Sequence, residues 1–234
     1  MDMFRQITLI FFLSAPGIAF AEDSGGPAQL IATGACEACD LRFADLRQQN
    51  LGGASLAGAD LRSADLSQAI LYQANLAGAD LRGSNLDGAS LGRCDFTGAD
   101  LRQQQLANAR LSRAILRGAK LSGADLAGAF VEGADLTDAD LSGADLSGTV
   151  LRGAKLAGAN LTGARMPKAD LHQSDLSAVA SIAGADLSGA DLYKANLAGI
   201  ELIAVRLSGA KLDGAALGGS KLPGADLTSA RLVK

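Results

Sequence analysis

Cysteine is the residue type of this sequence best suited to covalent chemistry, and two cysteines stand close together in Cys36-Glu37-Ala38-Cys39. Such a pair can form a structural disulfide in an exported chain, remain as free thiols, act as a redox centre or bind a metal. A zinc site needs four ligands, whereas the chain offers only one histidine and the remote Cys94 as partners. We therefore predict a disulfide between Cys36 and Cys39, with free thiols as the main alternative, and a buried, inert Cys94.

Carboxylates are the other candidates for chemistry, because paired acids can transfer protons and clustered acids can bind calcium. Most aspartates here recur at intervals of five residues, so a repeat explains them and they carry almost no information about a site. The only histidine, His172, falls at a surface position of that repeat. We predict no catalytic residue, no cofactor and no metal site, and hence no enzyme.

The repeat that positions these residues is a five-residue word. Its central apolar residue, i, recurs in steps of five from Leu41 to Leu176 and again from Ile182 to Leu232. Position i−2 is mostly Ala, position i−1 is polar, and positions i+1 and i+2 are polar or Gly. A period of five fits neither an amphipathic helix nor an alternating strand. Another fold must therefore bury every fifth side chain.

The words Ala144 to Gly148, Ala-Asp-Leu-Ser-Gly, and Ala195 to Gly199, Ala-Asn-Leu-Ala-Gly, resemble the pentapeptide-repeat family over residues 39–234. The resemblance implies an all-β solenoid, a right-handed quadrilateral β-helix in which four words make one coil. Residues i and i−2 would point inward, and the chain would form about ten coils stacked at the strand spacing.

The spacing of one tripeptide agrees with a twenty-residue coil. Asp-Leu-Arg occurs at residues 40–42, 60–62, 80–82 and 100–102. In a four-word coil these copies stack on one face, so a column of Asp lies beside a column of Arg. We expect the two columns to neutralise each other on a solvated face, with a charged docking strip as the functional alternative.

The N-terminal segment predicts export. Residues 1–21 have Arg5 before an apolar run and end in Ala19-Phe20-Ala21, which is typical of a cleaved secretory signal peptide. The run is too short and broken for a stable membrane anchor. We expect a periplasmic or extracellular protein with no membrane span after cleavage. Residues 22–38 read as a linker and cap, with a short helix over Pro27–Thr33.

Several positions depart from the repeat. Gln49 and Gln104 occupy i−2 sites, where we expect their amides to bond to backbone groups or to widen the coil locally. The step between Leu176 and Ile182 is six residues, so one residue within 177–181 must bulge outward. Ile200 and Val205 enlarge two successive i−2 sites, which predicts a broader core there.

Outward apolar residues concentrate on one face of the expected coil. The face carries Ile70, Phe130 and Val150 at i−1 and Tyr72 at i+1, and Ile115 lies on the neighbouring face. Aromatic residues and Arg are favoured at interfaces, although such residues can also simply stabilise a strand surface. The candidate dimer or partner surface comprises Ile70, Tyr72, Arg110, Ile115, Phe130, Val150 and Arg152, with Arg93 and Arg113 also at its rim.

Two function classes remain. The first is a non-enzymatic exported scaffold or interaction module that binds an unknown protein partner or a second copy of itself. The alternative, which the family resemblance implies, is a DNA mimic that binds gyrase. The predicted signal peptide and the formal net charge of only −4, with Arg interleaved among the acids, argue against the alternative. The same charge balance argues against nucleic-acid binding, which requires a basic surface.

Overall fold

The computed structural model describes residues 25–233, so the predicted signal peptide lies outside the described residues. The chain forms a four-sided solenoid in which single residues make parallel bridges between successive coils. Asp40 bridges to Asp60, and Asp60 bridges to Asp80, each twenty residues further along. These bridges lie at position i−1 from Ala35 to Arg231, and no strand within residues 25–233 is longer than one bridge residue. Four words therefore complete one coil.

Each word folds as a β-turn between two bridge residues. The N–H of Ala44 donates to the carbonyl of Leu41 at 3.1 Å, which closes the turn. The third residue of the turn, at i+2, adopts the left-handed backbone conformation, with φ values such as 69° at Gly53. Glycine reaches this conformation without strain, which explains its frequency at i+2. An Asp at i−1 accepts the N–H at i+1, as Asp40 does from Arg42 at 3.1 Å.

The core is a column of inward side chains. Nearly all central residues up to Leu212 are buried, Leu61 and Leu81 completely, and the Ala residues at i−2 fill the space beside them. Phe96, Val131 and Met166 are also buried at central positions. Burial of one such aliphatic side chain stabilises the fold by about 1.5–3 kcal/mol. The centres Leu217, Leu222 and Leu227 are half-buried, and Leu232 is exposed.

An N-terminal helix, α1 (Gly25–Thr33), covers the first coil and begins earlier than the predicted Pro27–Thr33. Leu30 projects from α1 and is completely buried. A Cβ at Gly26 would lie 2.9 Å from the carbonyl oxygen of Asp40, so the absence of a side chain lets the helix approach the coil. Gly34 ends the helix with φ 71° and donates to Leu30. Among residues 25–233, no helix is long and apolar enough to cross a membrane.

The six-residue step forms a β-bulge at Ala180. The N–H of Ala180 donates to Ala159 at 2.9 Å, while Ser181 makes the regular bridge to Asn160, so two residues oppose one. Ala180 is exposed, and Val179 is partly buried against the core. The outward residue predicted within 177–181 is therefore Ala180, although counting back from Ile182 places Ala180 at i−2. Val179 takes that site because it buries more apolar surface than Ala.

Regular backbone hydrogen bonds are missing where residues 83–91 face residues 102–110, although Ser90 and Arg110 still pair as a bridge, and we call this region the seam. Gln104 lies at its centre, is 2% exposed, and donates from Nε2 to the carbonyl of Ser84 at 2.6 Å. Its Oε1 has no hydrogen-bond partner among residues 25–233. Gln49, in contrast, is only half-buried, and its backbone carbonyl accepts the regular ladder hydrogen bond from the N–H of Ile70 at 2.9 Å. Six N–H groups at regular ladder positions make no backbone hydrogen bond across the seam: Gly83, Leu86, Gly88, Leu91, Gln105 and Arg110.

Candidate functional site

The structure places the cysteines at two sites. Cys36 and Cys39 are joined with an S–S distance of 2.09 Å and a Cα–Cα distance of 5.4 Å, directly after α1. Cys94 occupies an i−2 site, is buried, and donates from Sγ to the carbonyl of Leu71 at 2.8 Å. Burial raises the pKa of the Cys94 thiol to about 12. Such a thiol is a structural residue rather than a nucleophile.

The acidic residues serve the fold. Across the described coils no group of three or more His, Cys, Asp or Glu side chains could hold a metal ion. His172 packs parallel to Tyr193, with ring centroids 4.9 Å apart. Sequence reasoning missed this stack, although the two residues share an i+1 column in consecutive coils and could have been paired on that basis.

The Asp-Leu-Arg copies form a continuous ion-pair ladder on one face. Arg62 lies 2.6 Å from Asp60 in its own word and 3.6 Å from Asp80 in the next coil, and the neighbouring copies repeat this pattern. The Arg42 side chain, through its hydrogen bonds, holds the pKa of the Asp40 carboxyl at about 2. Each carboxylate on this strip already has a guanidinium partner, so the strip presents little unbalanced charge.

Asp135, on another face, is the centre of a more buried cluster. Its carboxylate accepts from Thr137 at 2.6 Å and from Arg117 at 2.8 Å, and Lys155 lies 3.5 Å away. Its side chain is 11% exposed. Burial raises the pKa of Asp135, but the hydrogen bonds outweigh this effect and lower the pKa to about 2.

We expect Asp135→Asn to reduce the free energy of unfolding by up to about 2 kcal/mol at pH 7. The folded pKa of Asp135 is lower than the unfolded value of 3.8, so its stabilisation is present above pH 3.8 and is lost as the pH falls toward 2. Urea unfolding of the native chain and of Asp135→Asn at pH 7 and at pH 3 measures this effect. The difference in free energy of unfolding between the two proteins should be smaller at pH 3 than at pH 7. A constant difference would contradict this linkage.

A different face carries the predicted interaction residues, and we call it the apolar face. Phe130 is 49% exposed, Ile70 is 48% exposed and Tyr72 is 41% exposed, while Val150 is half-buried beside Phe130. Consecutive bridges join its outward i−1 column. From the N-terminal end that column reads Asn50, Ile70, Ser90, Arg110, Phe130, Val150, Asp170, Asp191, Lys211 and Arg231.

The apolar face also holds unpaired cations. Every arginine within residues 25–233 has a carboxylate within 4.0 Å except Arg93, Arg110 and Arg113. The Arg93 guanidinium lies 5.9 Å from the centroid of the Tyr72 ring, and a Cβ at Gly133 would lie 3.5 Å from Arg113 Cγ. Three exposed arginines thus flank apolar side chains with no acidic partner within the described coils.

Two of the sequence candidates have a different environment. Arg152 forms an ion pair with Asp170 at 2.6 Å, so unlike Arg110 it has a carboxylate partner within the described coils. Ile115 is 37% exposed and bridges between Asp95 and Asp135, which places it around a corner from Arg110. The structure therefore brings Arg110, Phe130 and Val150 together in one ladder and leaves Ile115 on a neighbouring face.

A shallow depression of about 410 Å³ lies further along the molecule. Tyr193, Lys194, Asp213 and Arg231 contribute to its lining. Arg231 pairs with Asp213 at 2.5 Å, and the Lys194 ammonium lies 5.1 Å from the centroid of the Tyr193 ring. Because its charged groups are satisfied by each other, the depression is weaker as a candidate site than the apolar face.

Comparisons with known proteins agree with this architecture. HetL from the cyanobacterium Nostoc sp. strain PCC 7120, a pentapeptide repeat protein involved in regulation of heterocyst differentiation, is 31% identical to the chain, with a TM-score of 0.50. The match covers 88% of this chain and 95% of HetL. A pentapeptide repeat protein of the Arabidopsis thaliana thylakoid lumen is 37% identical over 42% of this chain and 64% of its own, with a TM-score of 0.34.

QnrB1, a plasmid-mediated fluoroquinolone resistance protein, is 19% identical, covers 84% of this chain and 90% of its own, and has a TM-score of 0.40. A comparison with curated proteins gave no match. The profile described as Pentapeptide repeats matches in eight copies, over residues 39–76, 64–103, 74–113, 105–143, 114–153, 144–179, 180–209 and 200–234. The repeats thus extend through nearly all of the solenoid, and the chain belongs to the pentapeptide repeat family, whose fold is the right-handed quadrilateral β-helix.

Proposed function

We propose that this protein is a non-enzymatic scaffold of about ten coils that binds a protein partner through the apolar face. One observation carries the proposal: Arg93, Arg110 and Arg113 lack carboxylate partners and flank exposed Ile70, Tyr72 and Phe130, although the other described arginines are paired. Unpaired arginine beside exposed aromatic and aliphatic side chains is the composition of an interface centre.

We also propose export to the periplasm or the extracellular space. The n-region, apolar run and Ala-Phe-Ala site of residues 1–21 support this, because they are typical of a cleaved signal peptide. The Cys36–Cys39 disulfide fits an oxidising compartment. The DNA-mimic alternative needs unpaired carboxylates along a face, and the acidic column of Asp40, Asp60, Asp80 and Asp100 is paired with arginine.

The test is a double substitution of exposed residues on the apolar face. Phe130→Ser with Val150→Ser should weaken partner capture from an envelope fraction at least tenfold, because it removes the apolar centre. The thermal midpoint should change little, since Phe130 is 49% exposed. Ile203→Ser is the matched control, because Ile203 is 43% exposed but lies outside the apolar face. Equal capture by the double variant and the control would contradict the proposal.

A further inference from the structure

The outward columns of the apolar face are self-complementary when read in opposite directions. We propose that this face binds a second copy of the chain in an antiparallel arrangement, with the twofold axis between the levels of Phe130 and Val150. The inference rests on the proposed function, because it names the occupant of the same surface. In this arrangement each coil on one side of the axis faces the coil equally far on the other side in the partner.

The i−1 column gives the first part of the complementarity. Phe130 faces Val150 of the partner subunit, so the apolar centre of one copy covers that of the other. One coil further out, Arg110 faces Asp170 of the partner subunit. The unpaired guanidinium of Arg110 thereby gains a carboxylate. Asp170 can accept it, because its carboxylate offers about four lone-pair sites, of which Arg152 uses one on Oδ2 at 2.6 Å and the His172 N–H uses one on Oδ1 at 3.2 Å.

The i+1 column supports the same axis independently. Glu132 faces Arg152 of the partner subunit, which brings a second pair of opposite charges together beside the apolar centre. Glu132 makes no ion pair within residues 25–233. Charged pairs on both sides of an apolar centre match the usual anatomy of a protein interface, with its apolar core and polar rim.

The parallel arrangement of the same two faces is less favourable. It places i−1 residues against i+1 residues of the same level, so Phe130 would face Glu132, and Val150 would face Arg152. Both apolar side chains would then cover charged groups. The antiparallel arrangement carries two unfavourable terms away from the axis: Arg93 meets Lys194 of the partner subunit at a corner, and Ile70 faces Lys211 of the partner subunit. Salt screens the like charges at the solvated rim, and a lysine stem can lie along apolar surface while its ammonium stays in water.

The symmetry of the arrangement predicts a closed dimer. A twofold axis uses the same patch on both copies, so the contact is satisfied once and does not propagate into a filament. Residues 110 and 170 of one chain are three coils apart, or about 14 Å. This separation exceeds the screening length of about 8 Å at physiological salt. Any strong coupling between Arg110 and Asp170 must therefore act between copies.

A charge exchange tests the register. Arg110→Asp alone and Asp170→Arg alone should each raise the dimer dissociation constant at least tenfold in sedimentation velocity, because each creates a like-charge contact. The chain that carries both substitutions should recover part of the affinity, because opposite charges again face each other between the copies, although the new guanidinium at position 170 lies beside Arg152 of its own chain. The fold tolerates these residue types at i−1, where Asp is common and Arg165 and Arg206 also occur. Lys120→Asp, an exposed cation at i−1 on a different face, should leave association unchanged.

Cross-linking gives a second, geometric test. Arg110→Cys combined with Asp170→Cys should give a covalent dimer with a short bis-maleimide, because facing sheet surfaces lie about 10 Å apart, which exceeds the Cα separation of about 4.4–6.8 Å that a direct disulfide needs. The two cysteines are too distant to link within one chain. Arg110→Cys combined with Asp191→Cys shifts the register by one coil and should link much less.

The outcomes separate this inference from the proposed function. A chain that stays monomeric, or an exchanged variant that does not recover, overturns the antiparallel dimer. If Phe130→Ser with Val150→Ser still abolishes capture of another protein in that case, the proposed interaction face stands and its occupant is a different chain. A dimer that tolerates all of these changes overturns both.

Discussion

Replacing Leu141 by Asp should reduce the free energy of unfolding by about 4 kcal/mol or more, whereas Val131→Leu should change it by less than about 1.5 kcal/mol. Both residues are central residues of their words, with exposures of 0% for Leu141 and 1% for Val131. The first substitution buries a carboxylate with no cation in the core. The second keeps an apolar residue of the type found at most other centres, so it adds only modest packing strain.

Thermal unfolding followed by circular dichroism compares the two variants directly. Because coils of a solenoid contact mainly their neighbours, the damage from Leu141→Asp should be concentrated near its own coil. Relative to the native chain, hydrogen exchange in Leu141→Asp should therefore speed up more around residues 121–161 than near α1. Equal thermal midpoints for the two variants would show that the central residues do not form the core.

The repeat made most of the fold predictable, because one rule fixes the direction of every side chain. A central residue such as Leu61 must point inward once each word turns one corner, and bridges at twenty-residue spacing follow from four corners per coil. The insertion was predictable as a bulge, but its position was not. Either Val179 or Ala180 could have filled the inward site, and both choices return the chain to register at Ile182.

The candidate surface was predictable as a set of columns but not as a charge pattern. Residue counting placed Arg110, Phe130 and Val150 on one face. It could not show that Arg152 pairs with Asp170 while Arg110 stays unpaired, because pairing depends on side-chain reach between neighbouring coils. The helix boundary was missed for a similar reason. The start at Gly25 depends on the close contact of Gly26 with Asp40, which local propensity does not encode.

The seam around Gln104 leads to the other large effect, which is a gain in stability. Gln104→Ala should raise the free energy of unfolding by about 3 kcal/mol, because it removes a buried amide oxygen without a partner and lets the ladder close. Alanine is the usual residue at i−2, and Ala124, one coil further along, fills its site with the ladder intact. The lost hydrogen bond to Ser84 is a small cost by comparison.

The amides of the seam report this closure directly. The N–H groups of Leu86, Gly88 and Gln105 make no backbone hydrogen bond across the seam, so they should exchange with solvent quickly in the native chain. In Gln104→Ala their exchange should slow at least tenfold, since each N–H regains a carbonyl acceptor. Gln49→Ala is the matched control: the same substitution at the same word position, where the ladder is already complete, should change neither exchange nor stability appreciably. If Gln104→Ala is less stable than the native chain, or if the seam amides exchange as before, then the glutamine does not hold the coils apart, and the open ladder has a cause in the surrounding words.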